Sequence, residues 1–323
     1  MKRFSLTLFC VFLSLHFYAQ VLKGSVLDAK THQPVVFANV YFNGTFRGTT
    51  TDSLGHFKLK LVSKQKLPLT VSFVGYYSSE IKSYEVDKLL TIYLRPKTFE
   101  LNTVVLKSGK TRRKLKERIF KREFLGTNRT ARYCIIENMA DIQLKYSKDK
   151  STLNAFIDKP IIINNTYLGY KIEYYLDYFY YRNDTVFYQG AFYFKEKKIT
   201  PLEKLKTIKK HRTEVYYGSK MHFIRSLYNN DLKKEGYKVL GSNRYKYNYD
   251  SIMKSKKSHY LDIKNYIDIN FRGQEASRLY QLKDSVYIAK NGYHSPYGIL
   301  WTGYMGSQRL SDLLPFEYDP DKD

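Results

Sequence analysis

The chain has 323 residues, room for about two domains, and 43% of them are hydrophobic, so sizeable cores are possible. Its formal charge of +25 favours anionic partners such as lipid head groups, acidic glycans or acidic proteins, although solubilising lysines at strand edges would give the same total. Cys10 and Cys134 are the two cysteines, and Cys10 lies in the first twenty residues, which excludes an internal disulfide scaffold for the remainder.

Residues 1–20 have the layout of a secretory signal peptide. Lys2 and Arg3 precede an apolar run over residues 4–17, and Ala19 offers a small residue for cleavage. The run is shorter than the roughly 20 apolar residues of a membrane span, and a buried N-terminal strand or helix is the alternative interpretation. A mature chain beginning near Gln20 or Val21 would leave the cytoplasm, which argues against a nucleic acid partner.

Residues 21–96 contain short strand-like runs separated by turn signals. Asn43-Gly44 favours a tight hairpin because both residues tolerate positive φ, and Asp52 to Gly55 is a second turn. Polar and apolar residues alternate from 56 to 61, which predicts a strand with one buried face. About seven such strands at close spacing predict a β-sandwich.

Several patterns in this region together resemble the carboxypeptidase-regulatory-like domain: Gly24-x-Val26, Thr31 to Pro34, Ala38-Asn39-Val40, Gly48 to Asp52, Gly55-x-Phe57 and Val74-Gly75-Tyr76. The resemblance implies a seven-strand prealbumin-like sandwich with a binding or scaffolding role and no peptidase activity. In envelope proteins of Bacteroidetes this domain commonly follows a signal peptide, often at the front of TonB-dependent receptors. Residues 99–106 resemble the segment before a receptor plug, but no glycine-rich plug follows.

Residues 97–125 are expected to form a linker and a basic helix. The run from Lys110 to Arg122 is rich in lysine and arginine, and Leu115, Ile119 and Phe120 form a narrow apolar stripe. Two interpretations stay open. The helix either makes a peripheral contact with anionic lipid or polymer, or lies on the next domain with its charges solvated.

Residues 126–318 are expected to form a β-rich α+β domain, so the predicted fold class is mainly β. In the strand over 170–181, Tyr174, Tyr178 and Tyr180 share a parity with Ile172 and should lie on one face. That face would either stack on sugars or pack across strands. Cys134 is expected to be a small buried apolar residue. The polar tail, residues 319–323, is expected to be loose.

Ser219 to Glu235 is the clearest predicted helix, with Ser219 as N-cap and Gly236 at its end. His222 and Arg225 are three residues apart and should share a face of this helix. Together with Arg212 and Tyr217 they are candidates for binding an anion or a partner, or for a structural polar network. The part of the chain from Phe124-Leu125-Gly126 onward also resembles uncharacterised Bacteroidetes envelope proteins, which brings no known activity.

Motifs for nucleotide, acyl-transfer or disulfide chemistry are absent, and no cofactor is expected. One weak match is His211-Arg212-Thr213-Glu214, since H-x-x-E supplies two zinc ligands in metallocarboxypeptidases. A third ligand would be a distant histidine, His259 or His294.

Three functional hypotheses follow. The first is a non-enzymatic exported protein of the periplasm or outer membrane that binds an envelope protein or a glycan. The second is a zinc-dependent hydrolase using His211 and Glu214, and the third is a small outer-membrane β-barrel built from residues 130–318.

Overall fold

The computed structural model describes residues 20–61, 67–97, 110–242, 249–253, 259–273, 275–295 and 297–323. Almost all of the predicted signal peptide, residues 1–19, lies outside the described residues, as does the linker over residues 98–109. Of the helices in the described ranges, none is both long and apolar enough to cross a membrane.

Residues 20–61 and 67–97 form the predicted β-sandwich, mainly because alternation along the strands gives each sheet one apolar face. Its two sheets have the strand orders β4-β1-β7 and β3-β2-β5-β6. Leu22, Val26, Val40, Val71 and Ile92 fill the core between them. The strands are β1 (Val21–Asp28), β2 (Asn39–Phe42), β3 (Gly48–Thr50), β4 (His56–Lys60), β5 (Leu69–Ser72), β6 (Ser79–Ile81) and β7 (Leu90–Leu94).

The basic helix α1 (Lys110–Leu125) packs on a six-stranded antiparallel sheet. The sheet consists of β8 (Cys134–Ile136), β9 (Gln143–Tyr146), β10 (Leu153–Phe156), β11 (Ile161–Asn165), β12 (Tyr170–Arg182) and β13 (Thr185–Glu196). Strand β12 is central, since β13 pairs along its whole length while β11 and β10 pair with its two ends. Phe120 and Phe124 of α1 are fully buried against the sheet. The helix therefore packs on the following domain, which was one of the two interpretations of its sequence.

A second sheet follows in the chain and has its own core. The remaining elements are α2 (Leu202–Tyr216), α3 (Lys220–Tyr228), β14 (Tyr237–Gly241), α4 (Tyr249–Ile252), β15 (Tyr260–Leu261), β16 (Tyr266–Phe271), β17 (Glu275–Gln281), β18 (Val286–Tyr287), β19 (Ile299–Thr302) and α5 (Gly303–Ser307). Of these, α2 packs through Tyr216 on the core of the six-stranded sheet, whereas α3 packs on the second core. The strand order is β14-β16-β17-β19, with β15 and β18 paired separately. The described strands of residues 130–318 thus form separate sheets with two cores, whereas the barrel hypothesis requires one closed sheet.

Two local predictions need correction. The helix predicted over 219–235 has the expected N-cap, since Ser219 Oγ accepts from the His222 N–H at 3.1 Å, but it ends at Tyr228, where Asn229 and Asn230 form a turn. The tail is also not loose. Asp323 Oδ1 accepts from Nη1 of the buried Arg212 at 2.6 Å, because this guanidinium requires a carboxylate partner.

Cys134 lies half-buried in β8, and burial raises the pKa of its thiol to about 12. At neutral pH the thiol is protonated and therefore a poor nucleophile.

Candidate functional site

Three of the four predicted binding residues line one cleft. Tyr217, His222 and Arg225 lie on its wall, and the cleft has a volume of about 410 Å³. Its lining also includes five carboxylates, contributed by Asp231, Glu235, Glu317, Asp319 and Asp321. Arg212 is absent from this lining, and its Nε donates to the Leu168 carbonyl while its guanidinium carbon lies 4.1 Å from the ring centre of Tyr170.

The two predicted cationic residues of this cleft, Arg225 and His222, are already engaged, whereas the lining lysine, Lys290, is exposed. Arg225 donates to the carbonyls of Asn291 at 3.0 Å and Phe316 at 3.3 Å. His222 accepts at Nδ1 from the Gly218 N–H, which assigns its proton to Nε2, 3.2 Å from Glu235. Burial lowers the pKa of His222, so the ring is neutral at pH 7. The cleft is thus an acidic pocket without a free arginine to hold an anion, and partner binding there stays a prediction.

The structure does not gather the three predicted zinc ligands. His211 lies on α2, where its ring stacks 3.7 Å from that of Tyr167 and its Nδ1 contacts the Tyr167 carbonyl at 3.1 Å. Glu214 lies near the Tyr167 hydroxyl and Lys210, whereas His294 packs edge-on against Trp301 in the second core. Within the described ranges, no three histidine, cysteine, aspartate or glutamate side chains are placed to hold a metal ion.

His294 should make the protein acid-sensitive. Burial, followed by the nearby Lys220 charge, lowers its pKa from 6.5 to about 4. Between these two values the unfolded chain binds a proton that the folded chain does not, so this histidine lowers stability as the pH falls from 6.5 to about 4. We expect urea unfolding of His294→Phe to depend less on pH than the wild type in this window, by at most about 1.4 kcal/mol per pH unit. Parallel profiles would contradict this assignment.

A β-bulge in β12 gives this strand two differently facing halves. Leu176 pairs with Gly190 and Tyr178 pairs with Gln189, so Asp177 has no residue opposite it. Before the bulge the even-numbered Tyr174 is buried at 3% exposure, whereas beyond it the odd-numbered Phe179 is buried. The expectation that Tyr174, Tyr178 and Tyr180 share one face is therefore wrong, because one inserted residue reverses the alternation.

The bulge turns a group of aromatic rings toward solvent. We call Tyr77, Phe156, Tyr178, Tyr180 and Phe187 the aromatic strip. Tyr178 is 49% exposed and Tyr180 is 43% exposed, and Phe156 and Phe187 are also exposed. The ring of Tyr180 stacks on that of Phe187 with centres 5.2 Å apart, and the ring of Tyr178 stacks on that of Tyr77 at 5.8 Å.

Polar side chains accompany these rings on the same face. Gln189 pairs with Tyr178 across the sheet, and Asn154 pairs with both Tyr180 and Lys145, so all of these side chains point to the same side. At one end, the guanidinium carbon of Arg95 lies 5.8 Å from the ring centre of Tyr77. Exposed rings beside amide and cationic donors form a surface that can stack on a flat, partly apolar ligand and hydrogen-bond its edge.

Comparison with known proteins identifies the first part of the chain. Residues 22–106 match the family model of the CarboxypepD_reg-like domain. The N-terminal sandwich is a CarboxypepD_reg-like domain. The match runs past the predicted boundary at residue 96, and its last part lies outside the described residues.

Two further similarities concern proteins of Bacteroides. A segment of 98 residues is 39% identical to the TonB-dependent receptor SusC of Bacteroides thetaiotaomicron, which is 30% of this chain and 9% of the receptor. A crystal structure from Bacteroides uniformis, of a protein named as a candidate carbohydrate binder, aligns over 48% of this chain and 59% of its own at 12% identity. Its TM-score is 0.20, which does not establish a shared fold.

The CarboxypepD_reg-like domain contacts the six-stranded sheet through backbone hydrogen bonds and through aromatic side chains. The Gly44 N–H donates to the Phe192 carbonyl at 2.8 Å, and the Phe194 N–H donates to the Thr45 carbonyl at 2.9 Å. The buried ring of Tyr41 contacts those of Tyr175 and Tyr193. These contacts join the domain to β12 and β13 as one packed unit.

The CarboxypepD_reg-like domain also contacts the β-bulge of β12. Lys97 Nζ donates to the Leu176 carbonyl at 2.7 Å and lies 3.8 Å from Asp177, whose carboxylate also accepts from the Ser78 N–H. Burial raises the pKa of Asp177 and lowers that of Lys97, since both charges are taken out of water. The CarboxypepD_reg-like domain thus contacts the residue that turns the aromatic strip outward, and it supplies Tyr77 to that strip. Sequence alternation could not reveal this set, since its members come from three different strands and from a loop of the N-terminal domain.

Proposed function

We propose that this chain is a non-catalytic, exported protein of the cell envelope that binds a glycan on its aromatic strip. The observation that carries the proposal is the exposure of Phe156, Tyr178, Tyr180 and Phe187 on one face of a sheet whose other face is a packed core. Large aromatic residues left in solvent on a rigid sheet face are typical of a ligand-binding surface.

The chemistry of the strip favours a sugar polymer. The C–H face of a pyranose is apolar and slightly positive, so it stacks on the electron-rich face of an aromatic ring. Asn154 and Gln189 beside the rings can exchange hydrogen bonds with hydroxyl groups, as amides both donate and accept. The strip follows the strands, which suits an extended chain of sugars better than a single one.

The exported location rests on two supports. Residues 1–20 have the charge and apolar pattern of a signal peptide. The similarity of a 98-residue segment of the chain to a TonB-dependent receptor also fits an envelope protein of the periplasm or outer membrane.

Binding should depend on the two most exposed tyrosines of the strip. We expect Tyr178→Ala/Tyr180→Ala to weaken binding to a soluble polysaccharide by roughly 5- to 150-fold, since each of the two lost stacking contacts costs about 0.5–1.5 kcal/mol. Affinity electrophoresis against a panel of neutral hexose, pentose and uronic acid polymers would identify the ligand and measure the loss.

A matched control is Tyr93→Ala/Tyr260→Ala, because Tyr93 is 49% exposed like Tyr178 but its ring contacts that of His32. The ring of Tyr260 contacts that of Tyr287, and neither neighbour belongs to the strip. The control should bind as the wild type does. A chain that binds no polymer of the panel, or binds it equally well without Tyr178 and Tyr180, would contradict the proposal.

A further inference from the structure

The cations of α1 fall into two structural classes. Arg113 donates to the carbonyls of Met139 at 3.0 Å and Ile142 at 2.8 Å, and Lys116 donates to the Leu144 carbonyl at 3.2 Å. These two side chains hold the helix on its own domain. Both positive charges are satisfied by backbone carbonyls of the protein itself, so the basic composition of the helix is not by itself an argument for a partner.

The second class faces solvent. Arg112, Lys114, Arg118 and Lys121 are exposed, and within the described residues they have no ion-pair partner within 4.0 Å. Leu115 lies among them and is 44% exposed. We call these five residues the basic face. Arg112, Lys114, Leu115 and Arg118 line a shallow groove of about 410 Å³.

The acidic residues of the helix do not neutralise this face. Glu117 pairs with Arg113 at 2.6 Å, and Glu123 pairs with Arg122 at 2.5 Å. The basic face therefore presents four positive charges around one apolar side chain. It is also held rigidly, because Phe120 and Phe124 on the opposite side of the helix are buried.

We infer that the basic face docks on the surface of a membrane containing anionic phospholipids. Four cations complement the negative charge of such a surface, and each contributes favourably within the roughly 8 Å over which physiological salt leaves charges unscreened. The exposed leucine favours a lipid surface over a soluble anionic polymer, because Leu115 can enter the boundary between head groups and acyl chains. This inference is independent of glycan binding.

The basic face and the aromatic strip lie on opposite sides of the six-stranded sheet. Helix α1 packs on the side of the six-stranded sheet that buries Phe179, whereas Tyr178 and Tyr180 point to the other side. A chain docked through the basic face would hold the aromatic strip away from the membrane, where it is open to a ligand.

Vesicle sedimentation of the purified chain tests the inference. We expect binding to vesicles containing phosphatidylglycerol but not to vesicles of phosphatidylcholine alone, and release at about 1 M salt, where screening acts within roughly 3 Å. The variant Arg112→Gln/Lys114→Gln/Arg118→Gln/Lys121→Gln should bind at least about tenfold more weakly. Leu115→Ser should also weaken binding while leaving the charge unchanged.

The control removes the same charge elsewhere. Lys23, Lys58, Lys60 and Lys82 are exposed lysines of the CarboxypepD_reg-like domain, and their replacement by glutamine should leave vesicle binding unchanged. Equal losses in both quadruple variants, or undiminished binding without the four cations of α1, would overturn the inference. If Leu115→Ser binds vesicles as the wild type does and a soluble anionic polysaccharide competes fully, the partner is an anionic polymer and the membrane assignment is wrong.

Discussion

Replacing Phe124 by alanine should destabilise the protein by about 3–5 kcal/mol, the largest effect that we expect of a single substitution. Phe124 is fully buried, and its ring lies 4.9 Å from that of Phe120, 5.1 Å from that of Tyr174 and 5.3 Å from that of Tyr188. Alanine would leave a cavity among rigid aromatic neighbours that cannot close over it. Urea unfolding followed by circular dichroism would measure the loss.

Leu115→Ala is the matched control, since it truncates an apolar residue on the opposite side of the same helix. Leu115 is 44% exposed, so its truncation should change stability by no more than about 0.5 kcal/mol. The contrast tests whether α1 belongs to the six-stranded core. If Phe124→Ala were as mild as Leu115→Ala, the helix would be an appendage, and the basic face would lose the rigid support that its docking requires.

Local signals were sufficient to predict the N-terminal sandwich. Gly44 and Gly55 both adopt positive φ, at 73° and 74°, in the turns that the sequence indicated. The alternation over residues 56–61 appears in β4, where Phe57 and Leu59 are buried between exposed neighbours. Each of these features depends on residues a few positions apart, which is why the sequence reveals them.

The helices were predicted less well. Helix α2 was not predicted, because lysines interrupt the apolar stripe along it. Only two hydrophobic side chains of this helix, which lies wholly within the described residues, are buried, those of Ile208 and Tyr216. Arg212 on the same helix is buried as well, and its partners Leu168 and Asp323 are 44 and 111 residues away in the chain. The sequence alone does not distinguish such a buried arginine from a solvent-exposed one, because the residues that bury it are far away in the chain.

In the candidate sites, too, local features could be predicted from the sequence and contacts with distant residues could not. The spacing of His222 and Arg225 placed both correctly on one helix face, and both line the cleft with Tyr217. What the spacing could not show is that Arg225 already donates to the carbonyls of Asn291 and Phe316, which come from remote loops. Likewise, the tyrosines of β12 were noticed as a possible stacking platform, but their faces depend on a bulge that only strand pairing defines.

Gly190→Ala should disturb that bulge directly and destabilise the protein by about 1–3 kcal/mol. Gly190 is opposite Leu176, and a Cβ at this position would lie 2.2 Å from the Tyr175 carbonyl oxygen and 2.5 Å from the ring of Tyr174. Neither neighbour can move easily, because one is backbone and the other is a fully packed side chain. The strands would have to separate at the point where the alternation of β12 reverses.

The same substitution links the bulge to the aromatic strip. If β12 is displaced there, Tyr178 and Tyr180 lose their positions, so Gly190→Ala should weaken polysaccharide binding although it removes no contact atom. Gln189→Ala alters the neighbouring residue without adding a Cβ and should leave the urea midpoint nearly unchanged. Amide hydrogen exchange at Tyr178 and Phe179 would report the displacement. Unchanged exchange and stability in Gly190→Ala would show that the bulge tolerates a side chain, and the face of the strip would then need another determinant.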